Sequence, residues 1–188
     1  MKNSKVLTLA ECAIMLGLAI ALSYTRLWKM PMGGSITILS MLPIVLISIK
    51  HGIKWGVPVA LLFATFKFAT GFWVDVVPWI KEPYALVTSA ALDYFVPFTL
   101  LGLAGLFRNK TAKGWCVGIA LVIVIRFLCH FVSGIVIWGQ WAEDMTPIVY
   151  SLIYNAQYMV PELALTMIGA IALLKTPHVR RLFSPAQS

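Results

Sequence analysis

Six apolar segments separated by short polar turns dominate the pattern of hydrophobic and polar positions along this chain. A transmembrane helix needs about 20 consecutive apolar residues, a length that the second segment does not reach. That segment is either tilted, or it begins irregularly at Gly33-Gly34 and is shielded by its neighbours. The pattern predicts an all-α membrane protein with six transmembrane helices, at about 7–25, 36–49, 53–73, 84–107, 115–139 and 147–174.

Composition supports insertion into a membrane. Hydrophobic residues make up 60% of the 188 positions and charged residues 12%, and the mean hydropathy is +0.88. A soluble domain of this size carries roughly twice that charged fraction, so most of the apolar surface is expected to face lipid. The length fits one integral membrane domain, residues 1–188. The apolar run after Lys5 has no small-residue cleavage signal, which indicates a retained span rather than a signal peptide.

Several classes of site are not supported by any motif in the sequence. Cys12, Cys116 and Cys129 lie in apolar stretches without CxxC spacing, which predicts neither a disulfide framework nor a zinc site. The chain has no Walker, HExxH, GxSxG or kinase-like pattern. We therefore expect no catalytic residue, no bound metal, no cofactor and no hydrolysis of ATP by this chain itself.

The basic residues are distributed unevenly between the two predicted sides of the membrane. With six spans, both termini and the turns at 50–54 and 108–114 share one side, which holds ten of the fifteen Lys and Arg residues. Cytoplasmic loops are enriched in Lys and Arg, so both termini are predicted to be cytoplasmic.

The fifth segment carries one face of unusual chemistry. Arg126, His130, Gly134 and Trp138 recur every four residues, a spacing that aligns side chains along one side of a helix. Polar groups within hydrocarbon normally face a bundle interior or a cavity. A glycine beside a large aromatic residue also leaves room for a flat group, which predicts a wall that binds a small molecule.

Three neighbouring segments place polar residues at one depth. Asp93 lies about 14 Å from the outer end of its segment, and His130 and Asn155 lie about 12 Å from theirs, at 1.5 Å per residue. This common level predicts a cavity that opens to the outside and ends near the middle of the membrane.

Two polar stripes overlap on the sixth segment, and other roles stay open for several residues. Tyr150, Tyr154 and Tyr158 form one stripe, while Asn155, Tyr158 and Glu162 form the other. We expect one stripe to face the cavity and the other to pack or meet lipid.

The alternative for Asp93 is a structural ion pair with Arg126, which is compatible with a ligand role. His130 could be a satisfied core histidine. Lys67 and Glu162 suggest structural pairing or a role in coupling.

The first segment has small residues at four-residue spacing: Ala13, Gly17 and Ala21. Small side chains let another helix approach closely, so this face predicts either a docking surface for a partner or packing inside the bundle.

A cavity with several aromatic rings, a carboxylate and an amide suits a flat, cationic, nitrogen-rich ligand. Aromatic faces attract a ring cation, and an Asn amide offers both a donor and an acceptor. The most specific motifs are Leu42-Pro43-Ile44, Asp93-Tyr94, the stretches 103–111 and 130–138, and Tyr150 to Asn155.

With these motifs the chain resembles the thiamine-specific S components (ThiT/YuaJ family) of bacterial energy-coupling-factor (ECF) vitamin transporters, over nearly its whole length. The resemblance implies the six-helix S-component fold in the bacterial cell membrane and high-affinity capture of thiamine from outside. It implies as partners the transmembrane coupling subunit EcfT, two ATPase subunits and membrane lipid, but no nucleic acid.

The resemblance also implies roles for individual residues. The family's docking face corresponds to Ala13, Gly17 and Ala21. Its substrate-binding positions correspond to Asp93, Tyr94, His130, Gly134, Trp138, Tyr150 and Asn155, and approximately to Tyr84.

Two positions depart from the family pattern. Asp93 stands where the family has Glu, so its shorter reach must be met by a backbone shift or by water. A Trp familiar from the first external loop aligns near Gly34, and Trp28 is the candidate to replace it.

Three other functions are alternatives for this sequence. A stand-alone proton-coupled carrier would use Asp93, His130 and Glu162 as a relay, but the sequence shows no sign of the inverted repeats found in many such carriers. An intramembrane hydrolase built on Glu162 and His130 lacks a paired metal-ligand motif. A structural adaptor would not need to bury polar residues at a common depth on three neighbouring segments.

Overall fold

The computed structural model describes residues 2–183; Met1 and residues 184–188 of the predicted domain lie outside the described part. The all-helical class is confirmed, with one small antiparallel hairpin. The elements are α1 Lys2–Ser23, β1 Arg26–Lys29, β2 Ser35–Thr37, α2 Leu42–His51, α3 Ile53–Asp75, α4 Pro83–Phe107, α5 Ala112–Val136, α6 Pro147–Lys175 and α7 Pro177–Phe183.

Five of these helices, α1 and α3–α6, are long and apolar enough to cross a membrane. At most 39% of the most apolar window of any of them is buried within the protein. The outward faces carry large apolar side chains such as Ile14, Leu62, Val87 and Ile168. An apolar surface of this extent requires a lipid environment, since water would leave it unstable.

The second predicted segment, 36–49, is not a transmembrane helix in the structure. Its first residues end strand β2, and α2 begins only at Leu42. Ten residues of helix extend about 15 Å, half the thickness of the hydrocarbon core. Every residue from Leu42 to Ile49 is buried, so neighbouring helices enclose α2 on all sides. The irregular, shielded start is therefore the correct alternative, because irregular backbone is tolerated at membrane depth when protein surrounds it.

Close backbone packing fixes α4 against α2 and α3. A side chain at Gly102 would lie 2.6 Å from Val57 Cα, and one at Gly105 would lie 2.7 Å from the Gly52 carbonyl carbon. Ser48 of α2 fills the junction: its hydroxyl donates to the Gly102 carbonyl and accepts from the Gly105 N–H at 2.9 Å. This rigid half of the bundle positions the inner faces of α3 and α4.

The hairpin between α1 and α2 was not predicted. Strand β1 pairs with β2 in the register Trp28↔Ile36 and Lys29↔Ser35. The turn between them takes positive φ at Met32 (61°) and Gly33 (105°), a conformation that glycine adopts without strain. The hairpin folds back over the ends of α3 and α6 and covers the cavity described next.

Candidate functional site

A cavity lies between α3, α4, α5, α6 and the hairpin. Its empty space amounts to about 860 Å³ when the mouth that opens to solvent is included. Seven of the eight residues predicted to bind substrate line it: Asp93, Tyr94, His130, Gly134, Trp138, Tyr150 and Asn155.

Two π-helical segments shape the walls of the cavity. Phe68–Phe72 interrupts α3 and Ala90–Phe95 interrupts α4. A π turn inserts an extra residue and redirects the side chains that follow, which is why such turns recur at functional sites. Here they bring Gly71 and Asp93-Tyr94 to the same cavity, and the Tyr94 hydroxyl lies 3.2 Å from the position of a Cβ on Gly71.

Asp93 is the centre of a converging hydrogen-bond cluster. Its Oδ2 accepts from Ser89 Oγ at 2.7 Å, Ser133 Oγ at 2.8 Å and Trp138 Nε1 at 3.3 Å. Its Oδ1 lies 3.2 Å from His130 Nδ1. These donors, from α4, α5 and the turn after α5, compensate the desolvation of a carboxylate at this depth.

His130 presents one free ring nitrogen. An ionised Asp93 can only accept, so Nδ1 carries the proton that they share. The other nitrogen, Nε2, is buried and has no hydrogen-bond partner among the described residues. In the neutral ring it is an acceptor, so His130, which lines the cavity, has an unused acceptor in addition to its contact with the carboxylate.

Gly134 and Asn155 bring α5 and α6 together. A Cβ on Gly134 would lie 2.7 Å from Ser151 Cβ and 3.1 Å from Asn155 Nδ2. The room beside Gly134 is therefore filled by α6, which corrects the prediction that it leaves space for a flat group. Asn155 Nδ2 donates to the carbonyls of Ser151 (2.9 Å) and His130 (3.3 Å), and its Oδ1 accepts from Tyr158 at 2.8 Å.

Both polar stripes of α6 face inward, where the sequence predicted one. Tyr150, Tyr154, Asn155 and Tyr158 all line the cavity. With Tyr94 and Trp138, which are 7% and 8% exposed, they give it largely aromatic walls.

The hairpin is held over the cavity by polar contacts. Tyr154 accepts from the Gly34 N–H at 3.2 Å and donates to the Pro31 carbonyl. Lys29 pairs with Asp75 of α3 at 3.1 Å. Gly34 itself lines the cavity, and a Cβ there would lie 2.9 Å from a Tyr158 ring carbon. The tyrosines of α6 therefore leave no room for a tryptophan at position 34.

A buried ion pair lies beneath this region, and it is not the one considered from the sequence. Arg126 Nη1 donates to Glu162 Oε2 at 2.8 Å, so the alternative considered for Asp93, an ion pair with Arg126, is wrong. Glu162 Oε1 also accepts from the Thr37 N–H at 2.9 Å and from the Thr37 hydroxyl at 2.5 Å. Glu162 thus connects the end of the hairpin to α5 and α6, which confirms structural pairing for this residue.

Comparison with known proteins identifies the family. The model of the thiamine transporter protein family (Thia_YuaJ) matches residues 9–181. The chain belongs to this family. It is 35% identical to the thiamine transporter ThiT of Bacillus subtilis, over 93% of this chain and 94% of that protein. It is 33% identical to ThiT of Lacticaseibacillus paracasei over 44% of this chain and 48% of the relative.

A solved structure supports the same assignment. ThiT from Listeria monocytogenes superposes with a TM-score of 0.72 at 25% identity, covering 97% of this chain and 100% of that one. Membership of the Thia_YuaJ family, together with several membrane-length apolar helices, makes this a multi-pass protein of the bacterial membrane.

Two residues that the family resemblance suggested lie apart from the cavity. Tyr84 follows Pro83 in the first turn of α4, where its side chain is 69% exposed and does not line the cavity. Trp28 is 64% exposed on β1, so it does not replace the missing tryptophan.

Further residues line the cavity that were not named as substrate-binding residues, although the predicted polar stripes include Arg126, Tyr154 and Tyr158: Arg26, Lys67, Asp75, Phe98, Arg126, Tyr154 and Tyr158. The signal for Lys67 and Arg126 was present, since an ionisable side chain inside a predicted span points to a cavity. Asp75 and Arg26 lie outside the predicted spans, and the pattern of those spans gives no sign of the hairpin that joins them to the site.

The small-residue face of α1 is open. Ala13, Gly17 and Ala21 are all exposed, and a Cβ on Gly17 would meet no atom within 4 Å in the described part of the chain. The alternative prediction, that this face packs inside the bundle, is therefore wrong. Among the described residues, no group of three His, Cys, Asp or Glu could hold a metal ion.

Proposed function

We propose that this chain is the high-affinity thiamine-binding subunit of an ATP-driven ECF-type importer. Thiamine enters the aromatic cavity from outside, and a coupling subunit, EcfT, with two ATPase subunits supplies the energy for its release inside. Family membership supports thiamine as the ligand.

The observation that carries the proposal is the Asp93–His130 pair within aromatic walls. Thiamine joins a flat aminopyrimidine to a cationic thiazolium ring. Asp93 supplies the countercharge, and the unpartnered Nε2 of His130 can accept from the amino group. Trp138 and the tyrosines offer ring faces to the cation.

We also propose six crossings with both termini in the cytoplasm. Buried α2 together with the hairpin returns the chain to the side from which α1 started. Glu11 of α1 supports this arrangement, since it pairs with Lys50 at 2.8 Å and His51 at 2.6 Å at the end of α2. The basic turns then lie on the cytoplasmic side.

The stand-alone carrier is the other candidate. It would pass protons between Asp93, His130 and Glu162, but Glu162 is engaged by Arg126 and by two hydrogen bonds from Thr37. These contacts fix Glu162 as a structural connection between the hairpin and α5, with no contact to Asp93 or His130 among the described hydrogen bonds, which favours the importer subunit.

Thiamine is expected to quench the tryptophan fluorescence of the purified protein through Trp138. Trp138→Ala should remove most of the quench and weaken binding by about 1–3 kcal/mol, the range for a buried aromatic contact with a cation. The matched control is Trp73→Ala, because Trp73 is 63% exposed and lies outside the cavity. Equal quenching and affinity in the Trp138 and Trp73 variants would contradict the assignment.

Gly17→Trp is expected to abolish uptake of thiamine in cells and to leave binding by the purified protein nearly intact. The bulky ring blocks close approach of a partner helix to the open face of α1, while the cavity lies on other elements. Val124→Trp, at an exposed position of α5, is the control and should transport normally. Uptake that persists after deletion of the coupling subunits would instead establish the stand-alone carrier.

A further inference from the structure

A second cavity lies between the hairpin turn, the segment that follows α5 and the start of α6. With its open side included, it encloses about 830 Å³ of empty space. Met32, Tyr150 and Tyr154 line this space and the first cavity alike, so the two spaces adjoin. Trp141 and Glu143 line the second space alone. We call the second space, defined by these five residues, the vestibule.

Two contacts between α6 and the hairpin turn separate the vestibule from the first cavity. The Tyr150 hydroxyl lies 3.5 Å from Met32 Sδ, and the Tyr154 hydroxyl donates to the Pro31 carbonyl. A methionine side chain has three rotatable bonds, and its sulfur is only a weak acceptor. The Met32–Tyr150 contact can therefore open through a change of rotamer, without unfolding either element.

Two rows of aromatic rings continue from the vestibule into the first cavity. In one row, the ring centroid of Trp141 lies 5.4 Å from that of Trp138. In the other row, Tyr150, Tyr154 and Tyr158 follow one another at 5.9 and 6.0 Å. Trp138 and Tyr158 line the first cavity only. Because a ring face attracts a cation over about 6 Å, a cation can pass along either row without losing aromatic contact.

Glu143 gives the vestibule a negative charge. Its side chain is exposed, and its carboxylate forms no ion pair with any of the described residues. The neighbouring Asp144 is exposed as well but lines neither cavity. A carboxylate at the rim of a cavity concentrates cations there and acts mainly on the rate at which they arrive.

We propose that the vestibule is a first binding site for the thiazolium cation, held by Glu143 and Trp141 before it moves on to Trp138 and Asp93. The proposal rests on the proposed function, since thiamine is the ligand. The Met32–Tyr150 contact belongs to the wall of the vestibule, so Glu143 still stabilises the cation while that contact is open. A ligand at rest beside Asp93 has left the vestibule. Glu143 therefore governs entry and exit and contributes little to the final affinity.

The test measures the association and dissociation rates of radiolabelled thiamine on the purified full-length protein, by rapid filtration. Glu143→Gln is expected to lower both rates about fivefold, the factor that water leaves between two unit charges in contact. Both rates fall together because the ligand passes the same carboxylate on its way in and on its way out. The Kd should therefore stay within about twofold of the wild-type value. Glu143→Asp, which keeps the charge, should retain the wild-type rates.

Asp144→Asn is the matched control, because it removes the same charge one residue away and outside both cavities. It should leave both rates near their wild-type values. Equal rates in Glu143→Gln and Asp144→Asn would overturn the vestibule site. A higher Kd with an unchanged association rate would overturn it as well, since Glu143 would then belong to the final site. Absence of thiamine binding to the wild-type protein would reject the proposed function itself.

Discussion

Asp93→Asn is expected to weaken thiamine binding about 30-fold or more, since removing one charge from a buried, hydrogen-bonded pair costs about 2–5 kcal/mol. The amide removes the countercharge to the ligand. It also turns a donor toward His130 Nδ1, which forces the ring proton onto Nε2. The unpartnered acceptor at His130 Nε2 is then lost together with the charge. Titration calorimetry of the purified variant measures the effect.

Asp144→Asn makes the same chemical change at an exposed position outside the cavity and should bind as the wild-type protein does. The Asp93 variant should remain folded, because Glu162, not Asp93, is the ion-pair partner of Arg126. Affinity within threefold of the wild-type value would remove Asp93 from the site.

Glu162→Gln is expected to produce the largest loss of stability. Breaking a buried ion pair by changing one partner costs about 3–5 kcal/mol, because the remaining charge is left uncompensated. Glu162 and Arg126 are 3% and 7% exposed at their side chains, so water cannot take over the role of the lost carboxylate. Glutamine keeps an oxygen for the two Thr37 donors, which isolates the effect of charge. The free energy of unfolding in a graded denaturant series measures the change.

Glu82→Gln is the control, since Glu82 is exposed at the start of α4. The double variant Arg126→Met with Glu162→Gln should regain part of the lost stability, as no unpaired charge remains. A Glu162→Gln protein that unfolds like the Glu82→Gln control would show that the pair contributes nothing.

The helices could be predicted from the sequence because their signal is local. Predicted limits such as 84–107 and 147–174 differ by one residue from Pro83–Phe107 and Pro147–Lys175. In a helix of this length, the backbone N–H and C=O groups form hydrogen bonds within the helix itself, so the helix does not depend on contacts with distant residues. The prediction of a transmembrane helix at 36–49 was wrong. In the structure α1, α3 and α4 enclose this part of the chain, so a short helix and a hairpin can take the place of a span.

The sequence could predict those parts of the site whose residues lie on one face of a single helix. Four-residue spacing placed Arg126, His130 and Trp138 on one face of the fifth segment, and all three line the cavity. The π turns, the hairpin and the choice of Glu162 as partner of Arg126 depend on contacts between elements distant in sequence. The spacing of residues along one segment contains no information about such long-range contacts.

Titration of the purified chain with thiamine is the decisive measurement for the proposed function. We expect saturable binding of one thiamine per chain, abolished or strongly weakened in Asp93→Asn and preserved in Asp144→Asn. Riboflavin, which is flat and uncharged, should not bind, because it cannot use the countercharge at Asp93. Absence of thiamine binding to folded wild-type protein, or binding that Asp93→Asn leaves unchanged, would contradict a thiamine site at Asp93.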